Sequence, residues 1–537
     1  MRAEHQDKAL SEVTARVVGR VLREGHGEHV GEVIEDTLYH ERTRLERDRY
    51  ASESKDLGFW KDVGKQVVSA SGPAQQQLLR TIVERFTREV MGHFDPRVYQ
   101  LATKALPTGL GVLMNSLDPK RLLIDRDKHL RFDDNVLVLG ESEAARRMAT
   151  LGTLVVVPTH LSNMDSIVMG YAAYLMGLPP LTYGAGLNLF TNKLIGWFMN
   201  HLGAYRVDRR KKCDLYKEVL KEYATVTLEL GYHNLFFPGG TRARSGGVER
   251  KLKKGLLGTA VAAYAGNLRA GRRKPNIYVV PCTISYGLVL EAETLIEDHL
   301  REVGKARYII VDDEFSQVKR IAQFLRDLIK LDGRIYLTFG APLDPFGNRV
   351  DFQGRSLDPR GRPVDITRYV CKDGHVVEDE QRDHEYTSEL STAIVGSFSD
   401  NNRLQSTHLA AFTAFQLMRW REPDGDVYRV LREGSGPIGF GRDEVATALA
   451  GVLAAARQKV AAGRLKLDPR MDGLAAGDVL DQALAAFECY HTRRALRRES
   501  DRIHVDDAEL VYYYHNRATG YGLEAAARPG RAGEAAA

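Results

Sequence analysis

The chain has 537 residues, 43% hydrophobic and 27% charged, a globular balance that excludes disorder of the whole. At about 150 residues per domain that length suggests two to four units with a sizeable buried core. The net charge of +5, from 76 Lys and Arg against 71 Asp and Glu, excludes a global nucleic-acid binder, and the scattered Cys213, Cys282, Cys371 and Cys489 show no metal spacing, which points to a reducing cytosol and no structural metal.

In chain order, the N-terminus "MRAEHQDKALSEV" has no apolar core of a signal peptide, and no uninterrupted apolar run reaches about 18 residues. The expectation is a protein that is neither exported nor membrane-spanning. Residues 1–105 are charged and helix-patterned. In "QLLRTIVERFTREV", Leu78, Leu79, Ile82, Val83, Phe86 and Val90 recur at helical spacing, predicting a helical cap. Residues 106–345 alternate short apolar runs with helical patterns, which predicts an α/β domain: a central mixed, largely parallel sheet flanked by helices. Residues 346–390 are rich in turn signals and read as a hairpin-rich insertion. Residues 391–525 return to helices, as in "DEVATALAGVLAAARQKVAAG", and 526–537 read as a flexible tail.

Three apolar runs end in proline: "LVVVP" at Pro158, "LFFP" at Pro238 and "YVVP" at Pro281. Proline cannot donate to a ladder, so each is expected to stop its strand. If those strands are parallel neighbours, the residues that follow converge on one edge, where open α/β sheets place their ligand sites.

After the first proline comes "THLSNMDS", with His160 and Asp165 five positions apart. On a regular helix five residues turn about 500°, leaving the two side chains about 140° apart, and a strand puts them on opposite faces. A contact therefore needs a turn. A loop entering a helix supplies one, with Ser162 as N-cap and Asp165 as the third helical residue. A purely structural reading is then at hand, because Ser162-x-x-Asp165 resembles a capping box. The functional reading makes His160 a general base whose tautomer is held by Asp165. With no Gly-x-Ser-x-Gly elbow and no nearby cysteine, no protein nucleophile is suggested. Such a base activates a hydroxyl or a water that belongs to another molecule.

After the second proline, "FFPGGTRARSGG" sets Arg242 and Arg244 two residues apart beside Gly239 and Gly240. Glycines admit backbone N–H groups to an anion, and guanidinium forks match phosphate oxygens; a basic surface turn is the bland alternative. The basic runs "RRKK" (209–212), "ERKLKK" (249–254) and "RAGRRK" (269–274) suit an anionic ligand or membrane surface, or simply solvated faces. No Walker A sequence and no His-Glu-x-x-His occur, and "GAGLNL" lacks the third glycine of a dinucleotide fingerprint.

Taken in order, "HLSNMD" (160–165), "GAYRVDR" (203–209), "FFPGGTRARSG" (236–246) and "VVPCTISY" (279–286) resemble the four blocks of the glycerolipid acyltransferase superfamily. "KKGLL" (253–257) and "ISYGLVLE" (284–291) make the chain similar to its glycerol-3-phosphate and dihydroxyacetone-phosphate branch. The resemblance covers about 150–345. It implies that His160, paired with Asp165, deprotonates a hydroxyl of glycerol 3-phosphate for attack on the thioester of acyl-CoA or acyl-carrier protein, an early step of phospholipid synthesis without a cofactor. It also implies that Arg209, Gly240, Thr241, Arg242 and Arg244 bind the acceptor, with Arg209 near the phosphate, and that Pro281 serves packing and the acyl side. Most membrane-associated members carry Glu at the position of Gly239, thought to touch the glycerol backbone; the soluble plastid enzymes use a small residue there. The departure leaves lysophosphatidate or another lipid acceptor as the alternative, and a catalytically silent lipid- or carrier-binding protein as the alternative of another class.

Acyl products reside in membranes, so a peripheral position on the cytoplasmic face is expected. The stretch 187–205, with Leu189, Phe190, Leu194, Ile195, Trp197, Phe198 and Leu202 around Lys193, is either an interfacial element or an ordinary amphipathic core helix.

Overall fold

The computed structural model of the protein describes residues 3–24, 29–47, 55–100, 135–186, 197, 201–303, 334–422, 427, 430, 431, 438–489, 491 and 493–528. The chain begins with four helices, α1 (Ala3–Glu24), α2 (Val30–Arg47), α3 (Lys55–Ser69) and α4 (Pro73–Val90). The apolar stripe of α4, from Leu78 to Val90, is buried as its spacing predicts, and Pro73 opens the helix where no N–H is needed.

The middle of the chain runs β1 (Val136–Gly140), α5 (Ser142–Leu151), β2 (Thr153–Pro158), α6 (Asp165–Leu175), β3 (Thr182–Gly186), β4 (Ala204–Val207), α7 (Asp214–Glu229) and β5 (Asn234–Leu235). It continues through α8 (Lys254–Leu257), α9 (Thr259–Arg269), β6 (Ile277–Tyr286), α10 (Ala292–Val303) and β7 (Ile335–Phe339). Among the described residues these strands form a seven-stranded sheet in the order β1-β7-β6-β2-β5-β3-β4. All neighbours are parallel except β6 and β7. The fold is therefore the mixed, largely parallel α/β class. Both β2 and β6 are buried along their full length, as strands covered on both faces must be.

The prolines divide. Pro158 does end β2, but Pro281 lies inside β6, which continues to Tyr286. Pairing of β6 with β7 begins only at Cys282, and the Pro281 carbonyl accepts the Gly340 N–H at 2.8 Å, so the missing donor falls at the end of that ladder. β5 stops at Leu235, three residues short of Pro238.

Beyond the sheet, two short antiparallel pairs, Arg349–Val350 with Ser356–Leu357 and Cys371–Lys372 with His375–Val376, lead to α11 (Glu380–Asp400). Then come α12 (Ser406–Arg421), α13 (Arg442–Ala461), α14 (Ala476–Phe487) and α15 (Ala508–His515). On one face of the sheet Leu154, Ile284 and Leu337 share a core with Leu409, Phe412 and Tyr514 of α12 and α15. On the other, Val155, Val157 and Val279 pack with Tyr264 of α9 and Leu390 and Ile394 of α11. The N-terminal helices cover α7, where Arg16 pairs with Glu222 and Glu229 at 3.1 and 2.7 Å over a separate core.

Of the stretch 187–205, residues 187–196 and 198–200 lie outside the described residues, as do 106–134, 304–333 and 529–537. Trp197 is 44% exposed. No described helix is long and apolar enough to cross a membrane.

Candidate active site

Four strands that run in one direction, β2, β4, β5 and β6, deliver their following loops to one edge of the sheet. Those loops carry the residues singled out in the sequence: His160 and Asp165 after β2, Arg209 after β4, and Gly240, Thr241, Arg242 and Arg244 after β5.

The base loop is held together by Asp165. Its Oδ2 lies 2.9 Å from Nδ1 of His160 and accepts the backbone N–H groups of Leu161 and Ser162 at 2.6 and 2.9 Å. Its Oδ1 accepts the Tyr286 hydroxyl at 2.7 Å. The capping role and the histidine contact thus coexist in one fully buried carboxylate. The helix starts later than the capping pattern predicts: Asp165 is the first residue of α6, not its third. Residues 162–164 instead form a turn, in which Ser162 Oγ accepts the Met164 N–H at 3.1 Å and donates to Glu291 Oε2 at 2.7 Å. The Met164 contact is the bond an N-cap makes to the second residue of its helix, here given to the turn that leads into α6.

The His160 ring stacks on Phe237 at 4.1 Å, and its side chain is 13% exposed. Burial pulls its pKa below the ordinary histidine value; Asp165 opposes the shift, and the Arg242 and Arg209 charges add to it. The ring is therefore neutral at pH 7. A neutral ring beside a carboxylate keeps its proton on Nδ1, which leaves the Nε2 lone pair as the basic site.

The loop after β5 faces the base loop. Ala243 N–H donates to the His160 carbonyl at 2.7 Å, and Lys253 N–H to the Pro238 carbonyl at 2.7 Å. Gly240 has φ +79°, a left-handed conformation that a side chain would strain. Arg242 Nη1 donates to Glu291 Oε1 at 3.2 Å, the same oxygen that accepts the Asn163 N–H at 3.0 Å. Glu291, fully buried, so joins the base loop to the first arginine. Arg244 pairs with Asp298 of α10 at 3.1 Å. Thr241 and Arg209 lie exposed on the rim. Although Arg209 reaches solvent, partial desolvation by the surrounding chain, and then the charges of Arg242 and Arg244, hold its guanidinium below its ordinary range, so the three cations lie within electrostatic reach of one another. Three guanidinium groups within electrostatic reach of one another favour an anion nearby.

The basic runs resolve differently from their uniform appearance. Arg209 faces the site, whereas Lys211 is buried between Glu41 and Glu89, 2.9 Å from each, and sits over the Phe86 ring. In "ERKLKK" the first residue turns inward, and Glu249 Oε1 accepts the His160 N–H at 3.3 Å. The C-terminal helices also reach this edge. Asn516 donates to the Ser245 carbonyl at 2.9 Å, and Tyr514 accepts the Val289 N–H at 3.2 Å. Sequence reasoning assigned no role to Tyr286, Glu249 or Glu291. Tyr286 and Glu291 sat in the quoted fourth-block segments, and an acidic residue opening a basic run was the only sign of Glu249. Among the described residues no group of three or more His, Cys, Asp or Glu side chains could hold a metal ion.

Residues 140–285 match the family model described as Acyltransferase. The glycerol-3-phosphate acyltransferase of Pseudomonas paraeruginosa is 31% identical over 239 residues, which is 43% of this chain and 27% of that protein. The enzyme of the same name from Pasteurella multocida is 31% identical over 223 residues, 40% of this chain and 26% of its own length. The chain thus spans about a quarter of the curated relatives it matches. The matched segment holds the base loop and the arginine loop alike, and over it the chain carries an acyltransferase domain similar to those of glycerol-3-phosphate acyltransferases.

Proposed function

We propose that the protein transfers a fatty acyl group from acyl-CoA or acyl-carrier protein to a hydroxyl of glycerol 3-phosphate. The observation that carries this reading is the joint at Glu291, which ties the loop of the histidine–aspartate pair to Arg242. A base and an anion site fixed to one another suit an acceptor that carries its hydroxyl a few bonds from its phosphate.

In this reading Arg242, Arg244 and Arg209 take the phosphate, with Gly240 and Thr241 offering loop contacts. Held there, the acceptor hydroxyl meets Nε2 of His160, which removes its proton as the oxygen attacks the thioester carbonyl. Asp165 stabilises the imidazolium that forms. Collapse of the tetrahedral intermediate breaks the C–S bond, and the imidazolium returns the proton to the departing thiolate. The products are the acyl ester and a free thiol. Such a product partitions into lipid, which supports a peripheral position at the cytoplasmic face of a membrane.

The test is an acceptor panel offered with acyl-CoA and with acyl-carrier protein, following thiol release. Release that depends on glycerol 3-phosphate is expected. Preference for 1-acylglycerol 3-phosphate would reassign the acceptor, and no acceptor-dependent release from any pair would end the proposal.

A further inference from the structure

Glu249 is set against two parts of the site at once. Its Oε1 accepts the His160 N–H at 3.3 Å. A Cβ built on Gly239 would fall 2.3 Å from that same oxygen and 2.7 Å from the carboxyl carbon. The carboxyl therefore occupies the space that any side chain at position 239 would take. Its second oxygen, Oε2, is buried and has no hydrogen-bond partner among the described residues. Folded proteins seldom keep a buried polar atom in that condition, and those that do keep it where the arrangement serves something other than stability.

We propose that Glu249 is a positioning residue for the base: through the gap left at Gly239 it reaches the backbone N–H of His160 and fixes the start of the base loop. The inference rests on the acyl-transfer reading for its consequence in catalysis, though not for its geometry. The carbonyl of His160 in turn accepts the Ala243 N–H at 2.7 Å. With Asp165 on the ring, the residue is thus gripped at three points, and Glu249 is the only one of the three reached through a glycine. Burial first, and then the Asp165 charge, push the Glu249 carboxyl up to about 8, against the pull of the His160 N–H and of Arg517. At neutral pH it is mostly protonated, with Oε1 left as the acceptor. Glutamine reproduces both that shape and that acceptor.

The experiment compares Glu249→Ala, Glu249→Gln and Gly239→Ala with the wild type in two readouts. The first is thiol release with glycerol 3-phosphate varied. Glu249→Ala and Gly239→Ala are expected to lower kcat about 10-fold or more while the acceptor KM stays within about 3-fold, and Glu249→Gln to stay within about 3-fold in both. The second is hydrogen exchange of the His160 amide, which needs no turnover. Exchange should quicken about 10-fold in the two Ala variants and not in Glu249→Gln. Unchanged exchange in Glu249→Ala, or a Glu249→Gln that behaves as Glu249→Ala, overturns the proposal. If Glu249→Ala does not fold, the Gly239→Ala and Glu249→Gln results decide it by the same criteria. A wild type inert toward every acceptor defeats the acyl-transfer reading instead, and the exchange result still decides the role of Glu249.

Discussion

The two halves of the site are built in opposite ways. The base half is closed: Asp165 and Glu291 are fully buried, and every contact that aims His160 is internal to the protein. The anion half is more open: Thr241 and Arg209 are exposed and Arg244 is 24% exposed beside Asp298, while Arg242, resting on Glu291, is as sheltered as His160 itself. The difference teaches that the group that moves a proton is organised before the acceptor arrives, whereas the groups that hold the acceptor await its charge. Variants of the closed half should therefore act on kcat, and variants of the open half on acceptor KM.

The largest effect falls on the base itself. His160→Ala should lose about 10²–10⁴ in kcat with the fold retained, as read by thiol release and circular dichroism. A variant of near wild-type turnover would break the division at its first point. Arg242→Ala should raise acceptor KM by about 10–100-fold, the range for losing a charge-assisted hydrogen bond, with a smaller change in kcat. If kcat falls while acceptor KM stays unchanged, the arginine belongs to the transition state and not to the holding of the acceptor. Glu291→Gln tests the joint between the halves. Both parameters should move, each by about 10-fold, and its effect should be less than additive with Arg242→Ala. Strict additivity would leave the two halves uncoupled.

How much of this was legible in the sequence follows from distance along the chain. His160 and Asp165 are five residues apart, and Arg242 and Arg244 two, so local spacing displayed both pairs. The parallel sheet was legible because β2 and β6 are short apolar runs flanked by helical patterns. Glu291 meets Ser162 across 129 positions and Tyr286 meets Asp165 across 121, and no local pattern records such pairings. Glu249 was hidden by its neighbours, since a run of lysines and arginines reads as one solvated face. Pro281 misled for a related reason: a missing N–H matters only where a neighbouring strand asks for it, and that neighbour is distant along the chain, since Phe339 of β7 pairs first with Cys282, 57 positions before it.

A smaller effect separates the halves by pH. His160 must be neutral to accept a proton, and its pKa lies below the ordinary value of 6.5, so kcat/KM should hold down past pH 6.5 and fall only as the ring protonates. Since the Arg242 charge contributes to that depression, Arg242→Ala should move the acid limb upward in pH. An unmoved limb would mean that the open half does not act on the base electrostatically.

The smallest effect lies at Glu249, where the halves touch, and it is read in stability. Unfolded, this carboxyl titrates near 4.5; folded, it is pushed up to about 8. Below pH 4.5 both states carry the proton and it contributes no difference. Between 4.5 and 8 the folded state keeps a proton that the unfolded state has released, so stability falls as pH rises through that window and levels off above 8. Glutamine has no such proton to lose. The melting temperature of Glu249→Gln should therefore pull ahead of the wild type between pH 4.5 and 8, by a few degrees or less, and the gap should stay constant beyond. Curves that run parallel across the window would mean that the folded carboxyl is ionised, with Arg517, its facing cation, outweighing both burial and Asp165.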